Sequence, residues 1–246
     1  MNTVNEPKQN IRGGNALRGC EPLLPALLTM TLVTGLVDAV SFLGLSRHVF
    51  TANMTGNVAL LGFAVAGAPR LSIAGSLTSL LAFLSGAVFG GRLGIAMSTA
   101  TRQRWFLTAA SAEAALLVMA GAASRGLTVG SEDHVSRLYA VIVLTAVAMG
   151  LRTATVRRLA VADITTTVLT STLAALAADS SLGGGNNPRI GRRVGSVLSM
   201  LSGAAIGALL LRFGLALPLV LGGILVLAAA FAYTSLLSSR AAAPVA

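Results

Sequence analysis

The chain has 246 residues, 54% of them hydrophobic and only 11% charged, with a formal net charge of +10 from 18 Lys and Arg against 8 Asp and Glu. A water-soluble globular domain carries roughly a quarter of its residues charged, so that class is excluded. The basic excess lies between hydrophobic segments, which fits orientation in a bilayer and contact with anionic lipids and argues against a nucleic-acid partner.

Residues 1–21 hold Lys8, Arg12 and Arg18 but no apolar core and no small-residue cleavage site, so they read as a basic cytoplasmic arm. Hydrophobic windows then give Leu23 to Leu45, Val49 to Gly67, Ser72 to Ser98 and Trp105 to Ser124. Four more follow: Leu138 to Val156, Val161 to Ala178, Val194 to Leu211 and Leu215 to Leu237. Pro22 and Pro25 suit the first turn of the first segment, and Pro69 closes the second. The charge-free runs Leu71 to Gly91, Val194 to Leu211 and Phe213 to Ser239 each reach the ~18 residues that a spanning helix needs. The single cysteine, Cys20, makes no internal disulfide, and His48 and His134 are too scattered for a metal site, so no metal or cofactor is expected.

The segments repeat. "GLVDAV" from Gly35 lines up with "GLRTAT" from Gly150, and the same shift places "NMTGN" (Asn53 to Asn57) on "VLTST" (Val168 to Thr172). A shift two residues longer places "LSGAVFG" (Leu84 to Gly90) on "LSGAAIG" (Leu201 to Gly207). The chain therefore reads as two membrane units, residues 22–127 and 128–238, followed by a tail at 239–246.

Charge decides how the units sit. If all eight segments cross with the N-terminus inside, the basic residues divide 10 inside to 7 outside, leaving out Arg152 within a helix. If the second and sixth segments instead enter and leave on one side, Arg92, Arg102, Arg104, Arg157 and Arg158 move in and Arg70, Arg125 and Arg137 move out, giving 12 to 5. The positive-inside rule favours the second arrangement. The expected fold is thus an all-α polytopic membrane protein with about six transmembrane helices plus two broken or re-entrant half-helix segments. Three crossings per unit make the units inverted repeats, a plan common among transporters.

That plan explains "VFTANMTGNVALLGFAVAG", which begins polar and ends apolar. Irregular backbone persists at membrane depth only where protein or a water-filled cavity surrounds it. "FTANMTGN" would be the irregular part, and "VALLGFAVAG" gives about 15 Å of helix, half of a ~30 Å core. "DITTTVLTSTLAALAA" has the same grain. The polar N-terminal ends of two half-helices would meet near the midplane and point amide donors at a small polar or anionic solute.

"TGLVDAVSFLGL...VFTANMTGNVALLG" followed by "AMGLRTATVRRLAVADITTTVLTSTL" resembles the YoaK family of bacterial inner-membrane proteins, over about Leu28 to Tyr233. The resemblance implies a membrane location and a fold of about six spans; the family's function is unknown. Two places depart from the family pattern: Arg152 and Thr153 stand where a Gln-Asn pair is expected, and Thr170 and Ser171 where Thr-Gly is expected.

Candidate path residues follow from depth and pattern. Asp38 lies well inside the first span, where a charge costs at least ~2.5 kcal/mol and marks function or a structural pair. Arg152 aligns with Val37, one position from Thr153, the counterpart of Asp38, so an ion pair or a shared water cavity between Asp38 and Arg152 is expected. Glu113, beside Ala109, Ala110 and Ala112, is a candidate proton-coupling carboxylate, or else a structural hydrogen-bonding group. Asn53, Thr55, Gly56 and Asn57 read as a selectivity turn, although Asn and Thr also cap helices. The matching cluster holds Thr165, Thr166, Thr167, Thr170 and Thr172. Gly86, Gly90 and Gly94, with Gly203 and Gly207, have small-xxx-small spacing for helix packing. Trp105 reads as an interfacial anchor, and Arg157, Arg158, Arg192 and Arg193 as topology determinants touching anionic lipid.

Three classes of function compete. A small-solute transporter or channel in the bacterial inner membrane accounts for the repeat, the broken segments and the embedded charges together. An enzyme is not expected, since no "GxSxG" or "HExxH" occurs. A membrane scaffold or accessory subunit is the alternative, and a homo-oligomer stays open. The first reading requires a polar cavity between Asp38, the Asn53 to Asn57 turn and Thr170; a scaffold would be packed solid there.

Overall fold

The computed structural model describes residues 23–130, 134–159 and 169–242. The helices in chain order are α1 (Leu23–Ala39), α2 (Met54–Val65), α3 (Ile73–Ala96), α4 (Arg102–Ala123), α5 (Val135–Leu159), α6 (Leu169–Ala178), α7 (Ile190–Leu210) and α8 (Ala216–Ala242). α1 continues through a π-helical turn, Val40–Gly44. Among the described residues six helices are long and apolar enough to cross a membrane: Leu23–Gly44, α3, α4, α5, Ile190–Phe213 and α8. The protein is an all-α membrane protein with several spans.

α2 and α6 are the exceptions. With 12 and 10 described residues they reach about 18 and 15 Å, roughly half of a hydrocarbon core. Local chemistry fixes where α2 starts. Asn53 Oδ1 accepts from Gly56 N at 3.1 Å and caps α2, so Val49 to Ala52 stay outside the helix, whereas Met54 to Asn57, expected to be irregular, form its first turn. Ser72 caps α3 and Thr101 caps α4 in the same way. The segment expected from Val161 is helical from Leu169; residues 160–168, with Thr165, Thr166 and Thr167, lie outside the described residues.

The packing couples each half of the chain to the other. α1 lies on α7 and α8, α5 lies on α3 and α4, and α4 lies on α8, while α2 and α6 rest on α3 and α7 respectively. Glycines make the closest crossings, because any side chain there would strike the neighbouring backbone. Gly203 faces the Leu32 carbonyl and Gly207 the Leu36 carbonyl of α1; Gly86 faces the Val147 carbonyl and Gly90 the Leu151 carbonyl of α5. Gly35 meets α7 at Met200, and Gly150 meets α3 at Phe83. The two sets are one set of contacts made twice: 115 residues carry Leu32, Gly35 and Leu36 onto Val147, Gly150 and Leu151, and 117 carry Phe83, Gly86 and Gly90 onto Met200, Gly203 and Gly207. Gly94 instead packs under the Arg158 side chain.

Of three residues expected at the lipid interface, Trp105 and Arg193 are buried and Arg158 is exposed. Trp105 is buried at the start of α4 within the apolar core, so it is no interfacial anchor. Arg158 donates to the Gly91 carbonyl at 3.2 Å. Arg193 is buried, donates to Ala175 O at 2.9 Å and pairs with Asp179 at 2.8 Å. Arg193 thus ties α7 to the last turn of α6.

Candidate functional site

The stretch between α1 and α2 has neither helix nor sheet partners, so side chains must satisfy its backbone. Asp38, in the last turn of α1 before the π-helical turn, accepts through Oδ1 from Thr51 N at 3.2 Å and Ala52 N at 2.9 Å. Asn57, in the first turn of α2, grips Phe50 from both sides: its Oδ1 accepts from Phe50 N at 2.9 Å and its Nδ2 donates to Phe50 O at 2.5 Å. Ser79 of α3 donates to the same carbonyl at 2.6 Å and accepts from Asn57 Nδ2 at 3.1 Å. Phe50 also stacks on Phe42, with ring centroids 4.6 Å apart. Three helices thereby hold one extended strip of backbone in place, and α2 starts from that fixed point.

The start of α2 faces the start of α6 across a cavity of about 470 Å3, within the range of small-ligand sites. Asn53, Thr55 and Gly56 line it from α2, Leu169 and Thr170 from α6, and Asp38 with Thr34 from α1. Asp38 is 5% and Thr34 2% exposed, so they form the floor, while Asn53, Thr55 and Thr170 are exposed. Among the described lining residues Asp38 is the one charged group. Asn57 and Thr172 are buried and do not line the cavity. Thr166 lies outside the described residues.

Arg152 and Glu113 form a separate unit. Arg152 Nε donates to Glu113 Oε1 at 2.7 Å, and Nη2 donates to the same oxygen. Nη1 donates to the Met30 carbonyl at 2.6 Å and to Thr34 Oγ1 at 2.8 Å. Both residues are 2% exposed and line, with Phe106, a void of only about 10 Å3. The expected pair or shared cavity between Asp38 and Arg152 is therefore corrected. Arg152 is met by Glu113 on α4 and by α1 one and two turns before Asp38, and the Asp38 carboxylate is spent on the amides of Thr51 and Ala52. Thr34 is the link, since it lines the cavity on one side and receives the guanidinium on the other.

Sequence reasoning passed over Thr34, Ser79 and Phe50. Thr34 stands four residues before Asp38, on the same helical face, and that spacing was a usable signal. Ser79 and the Phe50 backbone left none, because their roles arise only from the chain's return past α3.

The family described as "Protein of unknown function (DUF1275)" matches residues 26–232. The chain is 34% identical over 157 residues to "UPF0700 transmembrane protein YoaK" from Bacillus subtilis (strain 168), covering 63% of this chain and 66% of that protein, just under two thirds of its length. No solved structure matches the chain.

Proposed function

The chain belongs to the DUF1275 family of proteins of unknown function, and on that premise we propose that it passes a small polar solute across a bacterial inner membrane. The observation that carries the reading is the cavity between α2 and the described part of α6, with an embedded carboxylate at its floor. A scaffold has no need of such a space at membrane depth, where every polar group without a partner costs free energy.

The duplicated glycine crossings support a pseudo-twofold arrangement. With three spans in each half the two halves run in opposite directions, as inverted repeats, and the balance of basic residues puts the N-terminus in the cytoplasm. α2 and α6 would then enter from opposite faces and gate the cavity by moving against α3 and α7, while the tight α1–α7 and α3–α5 crossings act as the frame.

The charge of the lining points to the class of solute. The start of α2 favours negative charge weakly, but Asp38 brings a full negative charge and no described lining residue is basic. A neutral solute rich in hydrogen-bond donors, or a cationic one, fits better than the anion that helix dipoles alone would suggest. No covalent chemistry is part of this reading.

Untargeted metabolite profiling of cells lacking the protein, producing it, or producing Asp38→Asn tests the proposal. Asn keeps an oxygen for the Thr51 and Ala52 amides, so the fold should persist while the charge goes. A solute-specific change between null and wild type that Asp38→Asn abolishes is expected. Identical profiles in all three strains would refute transport.

A further inference from the structure

The floor of the cavity between α2 and α6 offers hydrogen-bond acceptors. Thr34 and Asp38 line it from α1, one helical turn apart, so their side chains lie next to each other. The Thr34 hydroxyl donates to the Met30 carbonyl at 3.0 Å and accepts from Arg152 Nη1 at 2.8 Å. Its hydrogen is engaged within α1, and what it can still present to the cavity is a lone pair. At Asp38 the Thr51 and Ala52 amides both end on Oδ1, so neither of them occupies Oδ2. A carboxylate, too, accepts without donating.

The embedded charges point the same way. Glu113 and Arg152 pair with each other and together add no net charge. Arg152 turns its remaining donors to Met30 O and Thr34, and the hydrogen bonds that Asp38 accepts come from neutral amides. A negative charge at membrane depth with no cation beside it is costly, and a cation entering the cavity relieves that cost. The stretch of chain before Leu169 cannot bring a basic side chain to the wall. Residues 160–168 read "AVADITTTV", with one further acid and no Lys or Arg.

The rest of the lining divides by polarity. Asn53 and Thr55 continue the hydrophilic side from α2, whereas Ala59 of α2, Leu173 of α6 and Met200 of α7 make an apolar side. A bare metal ion would leave the apolar side without a partner, and an anion would meet the carboxylate. We propose that the cavity takes a protonated amine with a short apolar body. Its N–H groups are received by Asp38 Oδ2 and Thr34 Oγ1, and its body lies against Leu173 and Met200. The proposal narrows the solute class of the transport reading and rests on it for the passage of the amine across the membrane, while binding is a separate property of the cavity.

The test uses the purified full chain in detergent, with Cys20→Ser and a reporter thiol on the cavity wall, Ala59→Cys. Its rate of reaction with methyl methanethiosulfonate, an uncharged reagent, is followed at fixed ionic strength and neutral pH. The probes are n-butylammonium, n-butanol and n-butyrate, which share an apolar body and are cationic, neutral and anionic. Butylammonium should slow the labelling in a saturable way, and the other two should leave it unchanged at the same concentration. Asp38→Asn keeps an oxygen for the amides and loses the charge. It should raise the half-protecting concentration of butylammonium about tenfold or more, because a neutral acceptor replaces a charged one. Leu182→Cys, at a position 99% exposed and outside the cavity lining, should label at one rate whichever probe is present. Protection by all three probes alike or by none, equal protection in Asp38→Asn, or equal slowing at Leu182→Cys would overturn the proposal. Should Asp38→Asn fail to fold, the three probes compared at Ala59→Cys and Leu182→Cys decide by the same outcomes. Selective protection together with identical metabolite profiles would refute transport and leave the amine site standing, whereas a profile change in an anionic solute without protection would do the reverse.

Discussion

The Glu113–Arg152 pair allows a double-mutant cycle whose size the structure sets. Arg152 donates to Glu113, Met30 O and Thr34 Oγ1 among apolar helices, so Glu113→Met would leave a guanidinium with two neutral partners and no counter-charge. Breaking a buried pair on one side costs about 3–5 kcal/mol, and Arg152→Met strands the carboxylate at a similar cost. Replacing both ions by unbranched apolar side chains is often neutral, so the double variant should lie within about 2 kcal/mol of the parent. The coupling energy is then at least about 4 kcal/mol. For a chain of this size 1 kcal/mol moves the melting temperature by about 2–4 °C, so each single variant should melt about 6–20 °C below the parent and the double variant close to it. Circular dichroism on protein in detergent reads all four. A double variant as unstable as the two singles combined would mean that the residues do not act as a unit, and the burial argument would fail.

Asn57 should matter more than Asn53 although both belong to the same motif. Asn57→Ala removes both bonds to Phe50 and the one to Ser79 and leaves the Phe50 amide without its acceptor, a loss of about 2–4 kcal/mol, whereas Asn53→Ala removes one exposed cap worth about 1 kcal/mol; thermal unfolding of the two side by side decides. Water in the solute cavity can be probed by thiol labelling after Cys20 is replaced by Ser. Thr55→Cys and Thr170→Cys should react with a membrane-impermeant methanethiosulfonate in intact vesicles, and Thr172→Cys, 4% exposed, should not. Labelling of none of the three would argue that the space is dry.

Much of the fold can be read from hydropathy because lipid imposes a length rule that sequence shows directly. The balance of basic residues, not segment length, singled out the second and sixth segments as half-crossings, and α2 has 12 residues of helix. The paired glycines were legible as spacing, and their partners Gly35 and Gly150 were already visible in the repeat. What sequence could not supply was pairing at a distance. Arg152 was matched to Asp38 by repeat alignment, yet α5 leans on α4, which brings Glu113 within reach first. Asp38 was assigned an arginine because its true partners are backbone amides, and amides carry no sequence signal.

The extensive helix pairings all join the first half of the chain to the second, and this has a bearing on biogenesis. Chains emerge from the ribosome N-terminal end first, so α1, α3 and α4 enter lipid before any of their main neighbours has been made. Glu113 waits 39 residues for its arginine, and the glycine grooves of α3 face acyl chains until α5 arrives. A gene cut after residue 130 should therefore yield two products that mature only when made together, and a ribosome stalled there would leave a half-built protein open to quality-control proteases.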